Sequence, residues 1–267
     1  MYKCFTAVLL LGSLSSPLLA DESMHGLLKE AATGEHRSQA NIARNTFRHP
    51  IETLTFFGLE KDMTVIEISP GGLWYAEILA PALKESGNYI AAGYDPAIDG
   101  QPEYRYRQTS KMEQRFAAED MFSEAAIVRF SPPQSVTLGQ SGSADMVVTF
   151  RNTHGWIRDG VDELVYQAFF EVLKPGGVLG VVQHRGPSTA EGFSGYVTEE
   201  QVITVATKAG FVLEARSQIN ANPRDTKDHP KGVWTLPPVL RLGDVDREKY
   251  IAIGESDRMT LRFRKPD

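Results

Sequence analysis

The chain has 267 residues and a formal net charge of −6 at pH 7, from 28 Lys and Arg against 34 Asp and Glu. That length suits one α/β domain with decorations, and an acidic chain without a basic stripe argues against nucleic acid as a partner. Its one cysteine, Cys4, lies in the first twenty residues, so the rest of the chain has no thiol for a disulfide, a nucleophile or a metal.

The opening MYKCFTAVLLLGSLSSPLLADE carries one Lys, a largely apolar run over residues 5–11, small residues, and Leu19-Ala20 before Asp21. It reads as a secretory signal peptide, residues 1–20, cleaved after Ala20, because the apolar run is too short to span a bilayer comfortably. The expectation is a periplasmic or secreted protein with no stable membrane insertion. Loss of Lys3 would leave a net charge of −7.

Residues 21–60 predict an N-terminal helical cap, with helices over 22–32, 41–47 and from His49-Pro50 to Gly58. Proline suits the first turn of the third, where its missing N–H costs nothing. Ile51, Leu54 and Gly58 would share one face of it, flanked by Phe57. The main domain, 61–267, begins with a strand over 63–68. After it come Ser69-Pro70-Gly71-Gly72 and then Ala76, Leu79, Ala80 and Leu83 at helical spacing. This is strand, glycine turn, helix, with Glu67 at the strand's end. Such a turn lets a ligand approach the backbone and leaves the first helical N–H groups free to meet it; the same pattern also serves a plain βα connection with no ligand.

A second strand, 88–94, ends at Asp95-Pro96. Residues 97–117 read as a loop entering a helix, with Tyr104 and Tyr106 either an aromatic lid or surface residues. A third strand covers 126–130, before Ser131-Pro132-Pro133. The buried strand 145–150 runs into Arg151-Asn152-Thr153-His154-Gly155-Trp156. A helix over 161–173 would turn Leu164, Val165, Ala168, Phe169 and Val172 inward and stop at Lys174-Pro175-Gly176-Gly177. Strand 178–182 ends at Gln183-His184-Arg185. A helix over 198–209 has Thr198 as N-cap and Gln201 at the capping-box position. Strand 211–215, a polar loop over 218–240 with Asn222, Asp225, Asp228 and His229, and the alternating segment 258–264 complete the chain. Alternating strands and helices imply a parallel sheet covered on both faces, and the long excursion before the last strand implies an antiparallel final pairing.

The glycine turn, Asp95 at the tip of the second strand, the LKPGG turn, the AGF step at 209–211 and the terminal strand pair together resemble a class I (Rossmann-like) S-adenosylmethionine-dependent methyltransferase. The chain is more closely similar to the exported "predicted methyltransferase" group, through FFGL (56–59), EISPGGLWYAEILAP (67–81), RNTHGW (151–156), LKPGGVLGVVQHR (173–185) and NPRDTKDHPKGVW (222–234). The resemblance implies a three-layer sandwich whose seven-stranded, mostly parallel sheet has an antiparallel last strand, with the ligand crevice at the strands' carboxyl ends. It implies S-adenosylmethionine as cofactor, with Glu67, Pro70, Gly71 and Gly72 along its methionine part, Asp95 on its ribose hydroxyls, and a small-molecule acceptor. Two departures stand out. Leu73 occupies the third small position of the glycine motif, where a side chain is expected to narrow the site. No Asp follows the third strand, so the Ser131-Pro132 backbone would have to serve the adenine.

His154 and His184 each follow a buried strand and should meet at one crevice edge. Either acts as a general base near neutral pH, or each simply hydrogen-bonds a loop. Asn152 is placed to orient an acceptor, Arg151 to pair an anionic substrate, and Trp156 to stack on a ring or to pack. His229, Asp225 and Asp228 with the two histidines would supply metal-ligand chemistry, although their spacing is not a ligand motif and a solvated polar loop explains the acids as well. Three functions remain open from sequence: methyl transfer to a small molecule, ligand binding without chemistry in a degenerate crevice, and a histidine-dependent hydrolase or lyase with or without a metal.

Overall fold

The computed structural model describes residues 23–187 and 193–267, and the expected signal peptide lies outside them. Ten helices are described: α1 (Met24–Thr33), α2 (Gln39–Ile42), α3 (Asn45–Arg48), α4 (Pro50–Phe57), α5 (Ala76–Leu83), α6 (Glu103–Ala118), α7 (Thr153–Asp159), α8 (Asp162–Val172), α9 (Glu199–Lys208) and α10 (Arg247–Ile253). The strands are β1 (Thr64–Ile68), β2 (Asn88–Gly93), β3 (Ala126–Arg129), β4 (Ala144–Phe150), β5 (Leu173–His184), β6 (Val212–Ser217) and β7 (Arg258–Arg264). They form one sheet in the order β3-β2-β1-β4-β5-β7-β6. β7 runs antiparallel to both neighbours and every other pairing is parallel. The expected seven-stranded mixed sheet is therefore present. No described helix is long and apolar enough to cross a membrane.

The period of two along β1 divides the core. Val65 faces one layer and Ile66 and Ile68 the other. On the first face lie Leu28 and Ala31 of α1, Leu54 and Phe57 of α4, and Leu79 of α5. On the second lie Val165 and Phe169 of α8, and Val202 and Ala206 of α9. The N-terminal helices thus have no core of their own. Each large side chain they bury on the sheet contributes roughly 1.5–3 kcal/mol. A polar tie reinforces this: buried Glu77 in the first turn of α5 accepts from Arg37, Asn41 and Arg115.

Four local expectations differ. Residues 41–47 form two short helices, because Ser38 caps α2 and α3 ends at His49 in the left-handed region (φ 40°). The buried face of α4 is Pro50, Thr53, Leu54 and Phe57. Phe57 sits flat on β5, where a Cβ on Gly180 would come within 2.6 Å of its ring. On α8 the inward residue is Tyr166, whereas Leu164 is exposed. The Lys174–Gly177 segment lies within β5 rather than ending the helix: Leu173 pairs with Ala144, the ladder skips, and pairing resumes at Met146–Val178. The helices α7 and α10 were not expected.

The order reverses between β1 and β4, since β2 lies on one side of β1 and β5 on the far side of β4. At such a switch point the connections leave in opposite directions and open a crevice at the carboxyl ends of the strands.

Candidate functional site

A cavity of about 910 Å³ occupies that crevice. Its first end is the glycine turn. Ser69, Gly71 and Leu73 all have positive φ (48°, 58° and 66°), and Leu73 N–H donates to Pro70 O at 2.9 Å. The left-handed backbone at Leu73 sends its side chain into the core, fully buried beside α5, so it does not narrow the site. Gly72 has open space where a Cβ would stand, and Gly71 meets nothing closer than 3.8 Å. Ser69, Pro70, Gly71 and Gly72 all line the cavity.

Glu67 forms its floor on the same sheet face as Val65. The Tyr89 hydroxyl, one strand over, donates to its Oε2 at 2.7 Å. Burial raises the Glu67 carboxyl to about 7, against the pull of that hydrogen bond and of Arg151. Asp95 is outside the cavity lining. Its backbone N–H donates to Ser131 Oγ, and its Oδ1 accepts from Ala97 N–H in a local turn. The wall there is Tyr94 instead, with Tyr104 edge-on at 6.1 Å and Arg105 over its face at 4.7 Å. Pro132 completes this end. The Tyr106 hydroxyl is committed to Ile98 O, so Tyr106 braces a loop.

The other end is built by the turn from β4 into α7. Arg151 takes φ 66° while its N–H donates to Val182 O on β5. The Asn152 amide donates to Ile68 O and Thr149 Oγ1, which ties the tips of β1 and β4 and leaves its Oδ1 as a fixed acceptor at the cavity. Trp156 packs edge-on against Phe169 and Tyr166 in the core. His154 and His184 do meet, with ring centroids 5.5 Å apart, and Phe193 and Trp234 flank His154 at 5.5 and 5.8 Å. Gln183 Nε2 lies 3.1 Å from His154 Nδ1. With the amide donating, Nδ1 accepts and the imidazole proton rests on Nε2. His184 Nδ1 lies 2.6 Å from Ser256 Oγ.

Burial lowers His154 to about 4, assisted by Arg151 and Arg158. Burial, His154 and the arginines Arg151, Arg258 and Arg48 lower His184 well below its usual range. Both rings are neutral near pH 7. The imidazolium that a general base must become is disfavoured at both, so this geometry makes them hydrogen-bonding groups and weak bases.

The cap supplies residues that sequence reasoning missed. Arg44 and Arg48 line the cavity and converge with Arg258 on one carboxylate, Glu255. Burial pushes Glu255 up, but Arg258, Arg48, Arg151 and Arg44 outweigh it and bring the carboxyl down to about 2. Arg48 is 1% exposed and spends only Nε on Glu255; its Nη1 and Nη2 have no partner among the described residues. The available signal was the Asn- and Arg-rich character of 41–47 with Arg48 just beyond it, which by itself assigns no role to Arg44 or Arg48.

Asp225 belongs to a different cluster. It accepts from the Tyr196 hydroxyl on both oxygens, His229 Nε2, and the N–H groups of Asp257 and Lys227. His229 lines the cavity with its Nε2 committed in this way. Asp228 is exposed and bonds Thr226. Among the described residues no group of three or more His, Cys, Asp or Glu is placed to hold a metal ion.

No protein-family model matches the chain, and no curated protein matches it either. Solved structures do match its fold. A SAM-dependent methyltransferase from Aquifex aeolicus superposes with TM-score 0.55 at 13% identity, covering 84% of this chain and 93% of its own. A putative sarcosine dimethylglycine methyltransferase from Galdieria sulphuraria gives 0.56 at 12%, covering 87% and 89%. The [4+2]-cyclase SpnF gives 0.55 at 13%, covering 92% and 94%. The fold is that of the class I S-adenosylmethionine-dependent methyltransferases. At these identities the likeness speaks for the fold, and function has to be argued from the site.

Proposed function

We propose that the chain is an S-adenosylmethionine-dependent methyltransferase for a small-molecule acceptor. The observation that carries this is the continuity of the cavity. One space of about 910 Å³ runs from the open glycine turn to the arginine and histidine groups beyond β4 and β5. A cofactor and a small acceptor can therefore lie end to end. The lining suits the cofactor: Gly71 and Gly72 leave the backbone approachable, Leu73 is withdrawn, and Tyr94, Tyr104 and Pro132 offer flat apolar surface for a nucleobase. Glu67 is a buried carboxyl without a cationic hydrogen-bond partner, and a bound ammonium or sulfonium would favour its ionised form.

The cofactor supplies an electrophilic methyl group on a sulfonium. The protein's own part is placement, since in-line transfer gains most from proximity and orientation. Asn152 Oδ1, fixed by its two donated hydrogen bonds, and the N–H of His154 are placed to hold an acceptor. The neutral, weakly basic imidazoles favour this positioning role over the hydrolase or lyase alternative. The case for a degenerate, non-catalytic crevice rested partly on Leu73, and that support is gone.

Calorimetric titration with S-adenosylmethionine and S-adenosylhomocysteine tests the reading. Saturable binding with Kd below about 1 mM is expected. It should weaken as pH falls below 7 if Glu67 must ionise. Absence of binding by either compound overturns the reading.

A further inference from the structure

Arg44, Arg48 and Arg151 line the cavity near the ends of β4 and β5, and Arg258 of β7 joins Arg44 and Arg48 on Glu255. Among the described residues only Glu255 pairs with any of these four guanidiniums, and it takes Arg44, Arg48 and Arg258. The Arg151 guanidinium has no hydrogen-bond partner among the described residues; the residue is half-buried and lines the cavity, and desolvation there holds it down to about 10. Arg48 stacks on the Trp74 ring at 4.7 Å and leaves both terminal nitrogens unpaired. Counting Glu67 on the cavity floor as ionised, two positive charges remain in surplus. Unpaired buried charge costs several kcal/mol and persists where a ligand supplies the counter-charge.

S-adenosylmethionine does not supply it. With a sulfonium, an ammonium and one carboxylate it carries a net charge of +1, so its entry enlarges the surplus. We propose that Arg48 and Arg151 form a buried seat for an anionic group, a carboxylate or a phosphate, carried by the molecule that accepts the methyl group. That this molecule is the methyl acceptor rests on the function proposed above; the anion seat does not. Guanidinium forks suit both anions because each offers paired oxygens to paired N–H donors. Trp74, Tyr75 and Phe150 line the same end of the cavity, and their low-polarity faces strengthen charge pairing beside them.

The test is calorimetric titration of the folded protein with inorganic phosphate and, separately, malonate, each at constant ionic strength, with and without saturating S-adenosylhomocysteine. At least one anion should bind the wild type with Kd below about 5 mM. Arg151→Gln should weaken it at least about tenfold, the scale of one hydrogen-bonded charge pair. Arg48→Lys, which keeps the charge and loses the fork, should weaken it severalfold. Arg129→Gln, on β3 and paired with Glu113, should change nothing. Phosphate alone binding marks a phosphorylated acceptor, and malonate alone a carboxylic acid.

Failure of both anions at about 20 mM overturns the proposal, as does binding that ignores both cavity arginines. Competition between anion and S-adenosylhomocysteine also overturns it, since the seat would then belong to the cofactor's own carboxylate. If both cofactor compounds fail to bind while an anion binds through Arg151, the methyltransferase reading falls and the seat stands. If a cofactor compound binds and no anion does, the reverse holds.

Discussion

Two acids two residues apart, Glu255 and Asp257, belong to buried ionic clusters of opposite character. Asp257 accepts from Arg185 through both of its carboxylate oxygens, from the Asn222 N–H, and pairs with Lys227. Its own N–H goes to Asp225, which also takes Tyr196 and His229. Here acids and bases are matched and the donors aimed at Asp225 all find it. Around Glu255 the arginines outnumber the acid, and guanidinium nitrogens are left over. The closed cluster has finished its bonding and can only hold the long 218–257 segment in place. The open one has donors still to satisfy, and it borders the cavity. Polar satisfaction, more than the presence of charge, separates scaffold from site here.

The largest effect is expected at the closed cluster. Asp225→Ala strips the acceptor from the Tyr196 hydroxyl, the His229 N–H and two backbone N–H groups at once. A loss of about 3–5 kcal/mol is expected, the usual scale for breaking a buried ionic group out of its network. Urea unfolding at pH 7 measures it. A midpoint close to wild type would show that this cluster is no scaffold, and the contrast would collapse.

Glu67 comes next. Its folded carboxyl titrates near 7 against an ordinary 4.5, so the folded state holds the proton more tightly. The penalty is absent below 4.5 and grows as pH rises through 7, reaching about 3 kcal/mol. His154 runs the other way, since a folded value near 4 against 6.5 gives stability that is complete above 6.5 and lost as pH falls towards 4. In the wild type the two slopes largely offset each other. Glu67→Gln should gain about 3 kcal/mol over wild type at pH 8 and little at pH 4.5, and it should expose the histidine's acid loss. Denaturant titrations at pH 4.5, 6 and 8 decide this; a variant that tracks the wild type at every pH would mean that Glu67 is not desolvated.

Much of the fold was legible in the chain because apolar strands, glycine and proline punctuation and the alternation at 258–264 all report short-range geometry. The site was legible mainly where it sits at strand ends: Glu67, Gly71, Gly72, Asn152, His154 and His184 share the cavity lining, joined by Tyr104 and His229 from elsewhere in the chain. What escaped was set at long range or by one dihedral angle. Leu73 reads as an obstruction until its φ of 66° is known. Asp95 reads as a site acid, yet its Oδ1 is taken by Ala97 two residues on. The helix α7 hides because Arg151-Asn152-Thr153-His154-Gly155 shows no apolar period. Arg48 meets Glu255 across 207 residues, and no local pattern announces that.

The smallest effect tests the contrast most directly. Arg151→Met removes a half-buried charge from a cluster where, among the described residues, that charge has no hydrogen-bonded counterpart, whereas Asp225→Ala removes a buried one with many. Glu255 keeps its contacts with Arg44, Arg48 and Arg258. Methionine fills similar space without a desolvation penalty, so stability should stay level or rise by about 1 kcal/mol. The neighbours should report the lost charge. Arg151 helps to hold His154 and His184 down, and it pulls Glu67 down as well, so all three should titrate higher in the variant. NMR titration of His154 beside urea unfolding at pH 7 gives both readouts. A destabilisation as large as that of Asp225→Ala would mean that Arg151 is structural after all, and that the open cluster is merely a second scaffold. Level stability with His154 moved upward would mean that the charge is kept for a ligand.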